Sequence, residues 1–160
     1  MPRVLTQTFG VVGALIERDG KILLVKETTE KDKNKWNHPA GWIEVGEDPI
    51  EAVKREVKEE AGVRFVPTYI LGVYSLFRKD LKKKFNITPH PIKIIFIGNI
   101  SKKKTSKLSD DISETKWFLP KEIVKMNKNT LRDLDIKKIV KDYFAGKRYP
   151  LELLTHTISE

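Results

Sequence analysis

The alternation of apolar and polar positions along the chain predicts short strands and a few amphipathic helices. Two β-branched, apolar runs, Phe9–Glu17 and Lys21–Lys26, flank the turn signal Arg18–Gly20, and this arrangement predicts a hairpin. The lysine-rich stretch Glu27–Lys35 is predicted to be a loop. Further strands are predicted at Tyr69–Arg78, Ile92–Ile100 and Glu114–Leu119.

One helix is marked at both of its ends. Asp48 is a predicted N-cap, Pro49 fits the first helical position, and Glu51 completes a capping box. Gly62 is predicted to end the helix in a left-handed conformation. The apolar side of this helix is formed by Ile50, Val53, Val57 and Ala61. Two more helices are predicted at Pro120–Met126 and Leu131–Phe144.

The order of these elements predicts a mixed α/β domain of the α+β kind, with helices packed on a mixed sheet. With 160 residues, of which 39% are hydrophobic and 33% charged, the chain is expected to form one globular domain over residues 1–160. It has no cysteine, which excludes disulfides, thiolate zinc sites and a cysteine nucleophile, and suits the cytoplasm. The apolar run Val11–Ile16 is too short to cross a membrane, so a soluble protein is expected.

The charge of the chain is unevenly distributed. The formal net charge is +9, yet the segment Gly41–Gly62 holds seven carboxylates and three basic side chains, so it carries −4 and the other 138 residues carry +13. The basic remainder suits a nucleic-acid surface or attraction for anionic small molecules, or reflects only a lysine-rich composition. The lysine runs Lys82–Lys84 and Lys102–Lys104 are interpreted as solvated loops.

Three carboxylates of the acidic segment share one face of the predicted helix. At about 100° per residue, Glu56, Glu59 and Glu60 lie within roughly a third of the helix circumference, where like charges destabilise a helix. One interpretation is a solvated face whose repulsion Lys58 and Arg55 partly offset. The other is a Mg²⁺ site, because this ion prefers hard carboxylate oxygens and its binding relieves the repulsion. The acidic face adjoins the apolar face, which favours the metal site.

The acidic segment resembles the Nudix box in every defined position. The box reads G-x₅-E-x₇-R-E-U-x-E-E-x-G-U, where U is aliphatic, and this chain has Gly41, Glu47 and then REVKEEAGV from Arg55 to Val63. WNHPAGWIE, from Trp36 to Glu44, and SETKWF also look like sequence of the Nudix (MutT-like) hydrolase family. The resemblance implies the Nudix fold, an α/β/α sandwich, and hydrolysis of a nucleoside diphosphate linked to another group, with Mg²⁺ or Mn²⁺.

The resemblance also implies a role for each residue of the box. The metal ligands correspond to Glu56, Glu59, Glu60 and Gly41. Either Glu59 or Glu56 corresponds to the general base that activates water. Arg55 corresponds to the residue that orients a catalytic carboxylate through a salt bridge, and Glu47 is expected to support the loop and pair with Arg55. Gly41 is expected to offer its carbonyl to the metal or to let a phosphate approach.

Residues outside the box are candidates for contact with the substrate. Glu114 precedes TKWF, where many family members hold a further carboxylate, and Trp36 is a candidate for stacking on a base. Asn37 and His38 flank the loop expected to border the pocket, and Glu44 is a candidate for a metal or substrate contact. Three of these candidates also have a structural interpretation. Glu114 would then be a surface charge, Trp36 a residue packed in the core, and His38 a structural or solvated histidine.

The segment Ala145–Leu154 resembles the small Nudix phosphatases that act on nucleoside tri- and diphosphates and on thiamine-pathway pyrophosphates. We therefore expect water-driven cleavage of a phosphoanhydride bond in a small anionic nucleotide or pyrophosphate. The alternatives are a pyrophosphatase for ADP-ribose or another nucleoside-diphosphate-X substrate, an RNA 5′-pyrophosphohydrolase that uses the basic remainder, and a non-catalytic nucleotide sensor. The complete set of box glutamates disfavours the sensor. Both a monomer and a homodimer are compatible with the sequence.

Overall fold

The computed structural model describes residues 6–160 and confirms the mixed α+β class. Residues 1–5 of the predicted domain lie outside the described part of the chain. The strands are β1 (Thr8–Leu15), β2 (Glu17–Arg18), β3 (Lys21–Glu27), β4 (Trp36–Asn37), β5 (Ala40–Trp42), β6 (Phe65–Ser75), β7 (His90–Ile100) and β8 (Ile112–Phe118). The helices are α1 (Pro49–Ala61), α2 (Leu81–Phe85), α3 (Pro120–Lys125) and α4 (Ile136–Phe144), with a 3₁₀ helix at Leu151–Leu153. No helix among residues 6–160 has the length and apolarity needed to span a bilayer.

The described strands form two four-stranded sheets. One has the order β5-β1-β7-β6, in which β1 and β7 are parallel and the other neighbours are antiparallel. In the other sheet, β3 pairs antiparallel with β2, β4 and β8. The predicted hairpin is confirmed only for β2 and β3, which are joined through Asp19 and Gly20 at positive φ. It is wrong for most of Phe9–Glu17, because β1 pairs with β5 and β7 in the other sheet.

Helices cover both faces of the sheet that contains β1. Alternate residues of a strand point to opposite faces, so Val12 and Ala14 pack in the cluster that contains α1, whereas Leu15 packs in the cluster that contains α4. From α1, the predicted apolar positions Val53 and Val57 are fully buried. This layering is the α/β/α sandwich that the Nudix resemblance implied.

The ends of α1 lie where the sequence predicts them. The Asp48 carboxylate accepts a hydrogen bond of 2.7 Å from the backbone N–H of Ile50, and Gly62 adopts a φ of 70°. Glu51 differs from the prediction, because its carboxylate pairs with Lys54 at 2.6 Å on the helix surface. An ion pair thus replaces the predicted capping box, while the cap by Asp48 still fixes the first turn that leads into the acidic face.

Two helical predictions needed correction. α2 contains Lys82–Lys84, a lysine run that was interpreted as a solvated loop. α4 begins at Ile136 and not at Leu131, because Leu131 forms a bridge with Trp36 and its side chain is fully buried in the cluster around α4. The segment before α4 therefore crosses beside β4, which brings the charged residues that follow Leu131 close to the site described next.

Candidate active site

A cavity of about 530 Å³ is lined in part by β1, β5 and β7, and α1 forms part of its wall. The residues that α1 contributes are Arg55, Glu56, Glu59 and Glu60. From β5 the lining includes Ala40, Gly41 and Trp42. The structure therefore brings all of the predicted metal ligands and the predicted catalytic arginine to one cavity. Trp42 stacks face to face on Phe9, another lining residue, with the ring centroids 4.0 Å apart.

The guanidinium of Arg55 connects the loop before α1 to the acidic face of the helix. Its Nε and Nη2 donate to the two carboxylate oxygens of Glu47 at 2.8 and 2.9 Å. Nη2 also donates to the carbonyl of Trp42 at 3.0 Å, and Nη1 donates to Oε1 of Glu56 at 2.6 Å. The hydrogen bonds from Arg55 hold the pKa of Glu47 below its usual value. The predicted pairing of Arg55 with Glu47 is confirmed, and it fixes Glu56 as well.

Gly41 makes room for the Glu56 carboxylate. A Cβ atom on Gly41 would lie 2.0 Å from Cδ of Glu56 and 2.1 Å from its Oε1. Such a distance is a steric clash, so any side chain at position 41 would displace the carboxylate. The glycine of the box is thus required by packing against Glu56, a reason that the sequence alone does not reveal.

Glu60 and Glu59 lie in very different environments, although they are adjacent. Oε2 of Glu60 accepts a hydrogen bond of 2.9 Å from the backbone N–H of Ala40, and the residue is 9% exposed. Burial and the negative charges of Glu27 and Glu56 raise the pKa of Glu60 well above its usual value. The side chain of Glu59 is 49% exposed and lies 3.5 Å from Nη1 of Arg55. Glu59 is thus the carboxylate of this wall that is most accessible to water.

The acidic wall, which is formed by Glu56, Glu59 and Glu60, has the donor chemistry of a Mg²⁺ site. Among residues 6–160, no three His, Cys, Asp or Glu side chains are grouped closely enough to hold a metal ion. Glu56 is engaged by Arg55 and Glu60 by the Ala40 amide, and both are buried carboxylates beside Glu59 in the cavity wall. Carboxylate and carbonyl oxygens are the ligands that Mg²⁺ takes, together with water and phosphate oxygens. The residues present therefore have the donor chemistry that such an ion takes, although their carboxylates are not grouped around one point, and their role as ligands stays a prediction.

The structure separates the other candidate residues into two groups. Asn37 and Glu44 line the cavity, where Asn37 is almost completely buried and the backbone N–H of Glu44 donates to Glu47 at 3.0 Å. Trp36 points away, because successive residues of β4 face opposite sides of the sheet. Its ring packs edge-on against Phe118 with the centroids 4.8 Å apart. The structural alternative for Trp36, packing in the core, is the one observed.

His38 and Glu114 also lie outside the set of described residues that line the cavity. His38 is fully buried, with its Nδ1 3.2 Å from the carbonyl of Pro39. Burial and the positive charge of Lys93 lower the pKa of His38 to about 3, so the ring is neutral at pH 7. Glu114 lies on β8, where its exposed carboxylate pairs with Lys26 across the strands at 3.4 Å. His38 is therefore a buried residue of the core and Glu114 a surface charge, and neither lines the cavity.

Part of the cavity wall consists of ion pairs that the sequence analysis did not find. Nη1 of Arg132 donates to Glu27 at 2.9 Å, and Nζ of Lys93 donates to Asp133 at 2.7 Å. Arg78 also donates to Asp133. All five residues line the cavity, although they come from four separate parts of the chain. The one available signal was Lys93, a charged residue inside an otherwise apolar strand.

The chain matches the NUDIX domain over residues 6–142. An ADP-ribose pyrophosphatase of Methanocaldococcus jannaschii is 35% identical over 136 residues, which are 85% of this chain and 73% of the relative. The phosphatase NudJ of Escherichia coli strain K12 is 29% identical over 144 residues, which are 89% of this chain and 88% of the relative. A solved NUDIX hydrolase from Nitrosomonas europaea superposes with a TM-score of 0.83 at 35% identity, covering 94% of this chain and 98% of that one.

The fold, the acidic wall and these similarities define the class of protein as a hydrolase that acts on phosphorus-containing anhydrides. More narrowly, the chain belongs to the Nudix family, as the spacing of the box residues predicted. Nudix hydrolases generally use divalent metal ions, which agrees with the donor chemistry of the wall.

Proposed function

We propose that this chain cleaves a phosphoanhydride bond in a nucleoside di- or triphosphate, or in a related small pyrophosphate, with Mg²⁺ or Mn²⁺ and with water as the nucleophile. The observation that carries the proposal is the wall formed by Glu56, Glu59 and Glu60, which Arg55 and the Ala40 amide hold in the cavity. The similarity to a phosphatase along 89% of the chain supports hydrolysis that releases phosphate. The lack of cysteine agrees with a reaction in the cytoplasm.

In this proposal Glu56, Glu59 and Glu60 hold the metal together with the carbonyl of Gly41. A bound divalent ion would neutralise phosphate charge and lower the pKa of its water. Glu59 accepts the proton of the attacking water, because its carboxylate is the accessible one, whereas Glu56 is held by Arg55.

The positions of the remaining candidates decide which of them we retain for substrate binding. Asn37 and Glu44 are retained because they line the cavity. Trp36, His38 and Glu114 are not, because the core, burial and a cross-strand ion pair account for their positions. The stacked rings of Phe9 and Trp42 replace Trp36 as the aromatic surface beside the substrate.

A second candidate activity is hydrolysis of ADP-ribose. The observation in its favour is the 35% identity to a relative that is an ADP-ribose pyrophosphatase. The same acidic wall would serve this reaction, since the bond that breaks is again a phosphoanhydride. The two candidates differ in the group that lies beyond the scissile bond, which is a phosphate in one substrate and a ribose phosphate in the other.

A substrate panel tests the proposed function. Purified protein with Mg²⁺ is incubated with nucleoside tri- and diphosphates, ADP-ribose, dinucleoside polyphosphates, thiamine pyrophosphate and 5′-triphosphorylated RNA, and the products are resolved as phosphate or pyrophosphate. We expect the highest kcat/KM for a nucleoside di- or triphosphate or a thiamine-type pyrophosphate. A highest value for ADP-ribose would favour the second candidate. A salt-sensitive preference for the RNA would indicate that the basic surface selects the substrate.

A further inference from the structure

We propose that Lys31, bordered by Arg132 and Arg78, forms an anion subsite in the cavity that binds the terminal phosphate of the substrate. The proposal rests on the proposed function, since it names the part of the substrate that this region of the cavity recognises. All three residues line the cavity.

Lys31 is the cation of this group that has no anionic partner. Its side chain is half-buried, and in the part of the chain that the structure describes its ammonium forms neither a hydrogen bond nor an ion pair. Arg78 uses its Nε and Nη2 for the carboxylate of Asp80, at 2.9 and 3.0 Å, and its Nη1 for Asp133. The positive charge at this place that a ligand can neutralise is therefore that of Lys31.

The positive charge of Arg132 is neutralised by carboxylates, as is that of Arg78. Its Nη1 lies 2.9 Å from Glu27 and its Nε lies 3.3 Å from Asp32. Burial and the positive charges of Arg132 and Arg78 lower the pKa of Lys31. The surroundings of Lys31 therefore disfavour the charged form of its ammonium group. A phosphate that accepts hydrogen bonds from Lys31 would offset this effect through a charge-assisted contact.

The loop that carries Lys31 is anchored at both ends. The backbone N–H of Thr28 donates to the carbonyl of Asp111 at 2.8 Å, and its hydroxyl donates to the carbonyl of Asp110 at 2.9 Å. At the other end of the loop, the backbone N–H of Glu27 donates to the carbonyl of Lys35 at 2.9 Å. Lys31 is thus presented from a turn with a defined conformation, and not from an open surface loop, so that little ordering is needed when an anion binds.

The subsite borders the acidic wall, which determines the kind of substrate that it selects. Lys31 and Glu60 line the same cavity, and the charges of Glu27 and Arg132 affect the pKa of both. A substrate whose scissile phosphate lies at the glutamates would therefore place a further phosphate near Lys31. Nucleoside triphosphates and free pyrophosphate have such a terminal phosphate. ADP-ribose ends in a neutral ribose and lacks it.

Two substitutions of Lys31 test the subsite, with Lys33→Met as the matched control. Lys33 is an exposed lysine of the same loop that is not among the cavity-lining residues. We expect Lys31→Met to raise KM for a nucleoside triphosphate by about tenfold with little change in kcat, and Lys31→Arg to restore most of the affinity. KM for ADP-ribose should change by less than about twofold, because that substrate has no terminal phosphate.

A binding measurement separates this inference from the proposed function. In excess Mg²⁺, calorimetric titration with inorganic pyrophosphate should show about tenfold weaker binding for Lys31→Met than for the wild type and for Lys33→Met. Equal pyrophosphate affinities in all variants, or an equal rise in KM for both substrates, would overturn the subsite while leaving the proposed hydrolysis intact. If the wild type hydrolysed neither substrate, the proposed function would fail, and the titration would still decide whether the subsite exists.

Discussion

At the residue scale, the acidic wall depends on a position that has no side chain. Gly41 lies directly against the carboxylate of Glu56, which Arg55 holds from the other side. The clash that a methyl group would create is with the end of a flexible side chain, and not with backbone. The structure can therefore absorb the substitution by moving the carboxylate, and this movement should affect the chemistry more than the stability.

The substitution Gly41→Ala tests this contact. We expect kcat/KM to fall by about 100-fold, which is about 2.7 kcal/mol of transition-state stabilisation, while the melting temperature changes by less than about 3 °C. Gly10→Ala is the matched control, since its Cβ would meet only the tip of Ile43 at 3.2 Å. Steady-state kinetics and thermal unfolding measure both effects. Full activity in Gly41→Ala, or an equal loss in the control, would contradict the role assigned to Gly41.

The sequence was sufficient to identify the box residues but not to orient their neighbours. The motif spacing identified Arg55, and the fixed periodicity of a helix placed the three glutamates on one face. Trp36 and Asn37 are adjacent in a two-residue strand, and no periodicity in so short a segment indicates which of them faces the cavity. Their orientation depends on pairing with β3, which is a tertiary contact.

At the scale of the elements, α1 is defined by local signals at both ends, and for this reason it was predicted well. Gly62 provides the left-handed C-cap, and its N–H donates to the carbonyl of Lys58 at 3.0 Å. It also lies against another segment, since a Cβ at Gly62 would lie 2.7 Å from the carbonyl oxygen of Ser106. The left-handed conformation and the close contact with Ser106 therefore both require glycine at position 62, at the end of the helix that carries the acidic wall.

The substitution Gly62→Ala should destabilise the fold more than an ordinary left-handed position would. Gly146→Ala is the control, because Gly146 has a φ of 84° but no heavy atom within 4 Å of its Cβ position. We expect a loss of about 1 kcal/mol for Gly146→Ala, and of about 2–3 kcal/mol for Gly62→Ala, in which a clash with backbone adds to the conformational cost. Urea denaturation gives both values. Similar losses of unfolding free energy in the two variants would show that the close contact with Ser106 does not affect stability.

The pairing of elements was harder to predict than their existence. β1 and β7 were predicted as strands, yet nothing in their local sequence indicates that they lie parallel to each other. Such pairing joins segments about 80 residues apart and is decided by how the two faces of the sheet are covered. The predicted hairpin failed for the same reason, because the chain leaves one sheet and enters the other near Ile16, where the backbone carbonyl accepts from the N–H of Leu23 at 3.0 Å.

At the scale of the whole molecule, the cavity joins the local acidic motif to charges from distant segments. Lys93 is buried on β7, and Asp133 precedes α4, so their contact exists only once both layers have formed. Sequence periodicity therefore identified the acidic wall and missed the ion pairs in the remainder of the cavity lining. His38 lies beside this network, fully buried and neutral.

Burial of His38 predicts a specific dependence of stability on pH. Its folded-state pKa of about 3 lies below the usual value of 6.5, so the unfolded chain takes up the proton first as the pH falls. Stability should therefore be lost below about pH 6.5, by at most about 1.4 kcal/mol per pH unit from this residue. We expect His38→Gln to flatten the slope of unfolding free energy between about pH 7 and pH 5 in urea titrations, since glutamine does not titrate.

The control for His38 is the exposed histidine near the C-terminus, His156. His156→Gln should leave the slope unchanged, because an exposed ring has similar surroundings in the folded and unfolded states. An unchanged slope in His38→Gln, or an equal change in both variants, would show that burial of His38 does not control the acid sensitivity of the fold.

The central claim, metal-dependent hydrolysis at the acidic wall, is tested most directly by the turnover of Glu59→Gln beside that of Glu51→Gln. Both glutamates lie on α1, but Glu51 pairs with Lys54 outside the cavity. With the best substrate of the panel and Mg²⁺, we expect Glu59→Gln to lower kcat by at least about 100-fold, Glu51→Gln to stay within about twofold of the wild type, and EDTA to abolish turnover. Wild-type rates in Glu59→Gln, or turnover that persists after exhaustive chelation, would contradict the account.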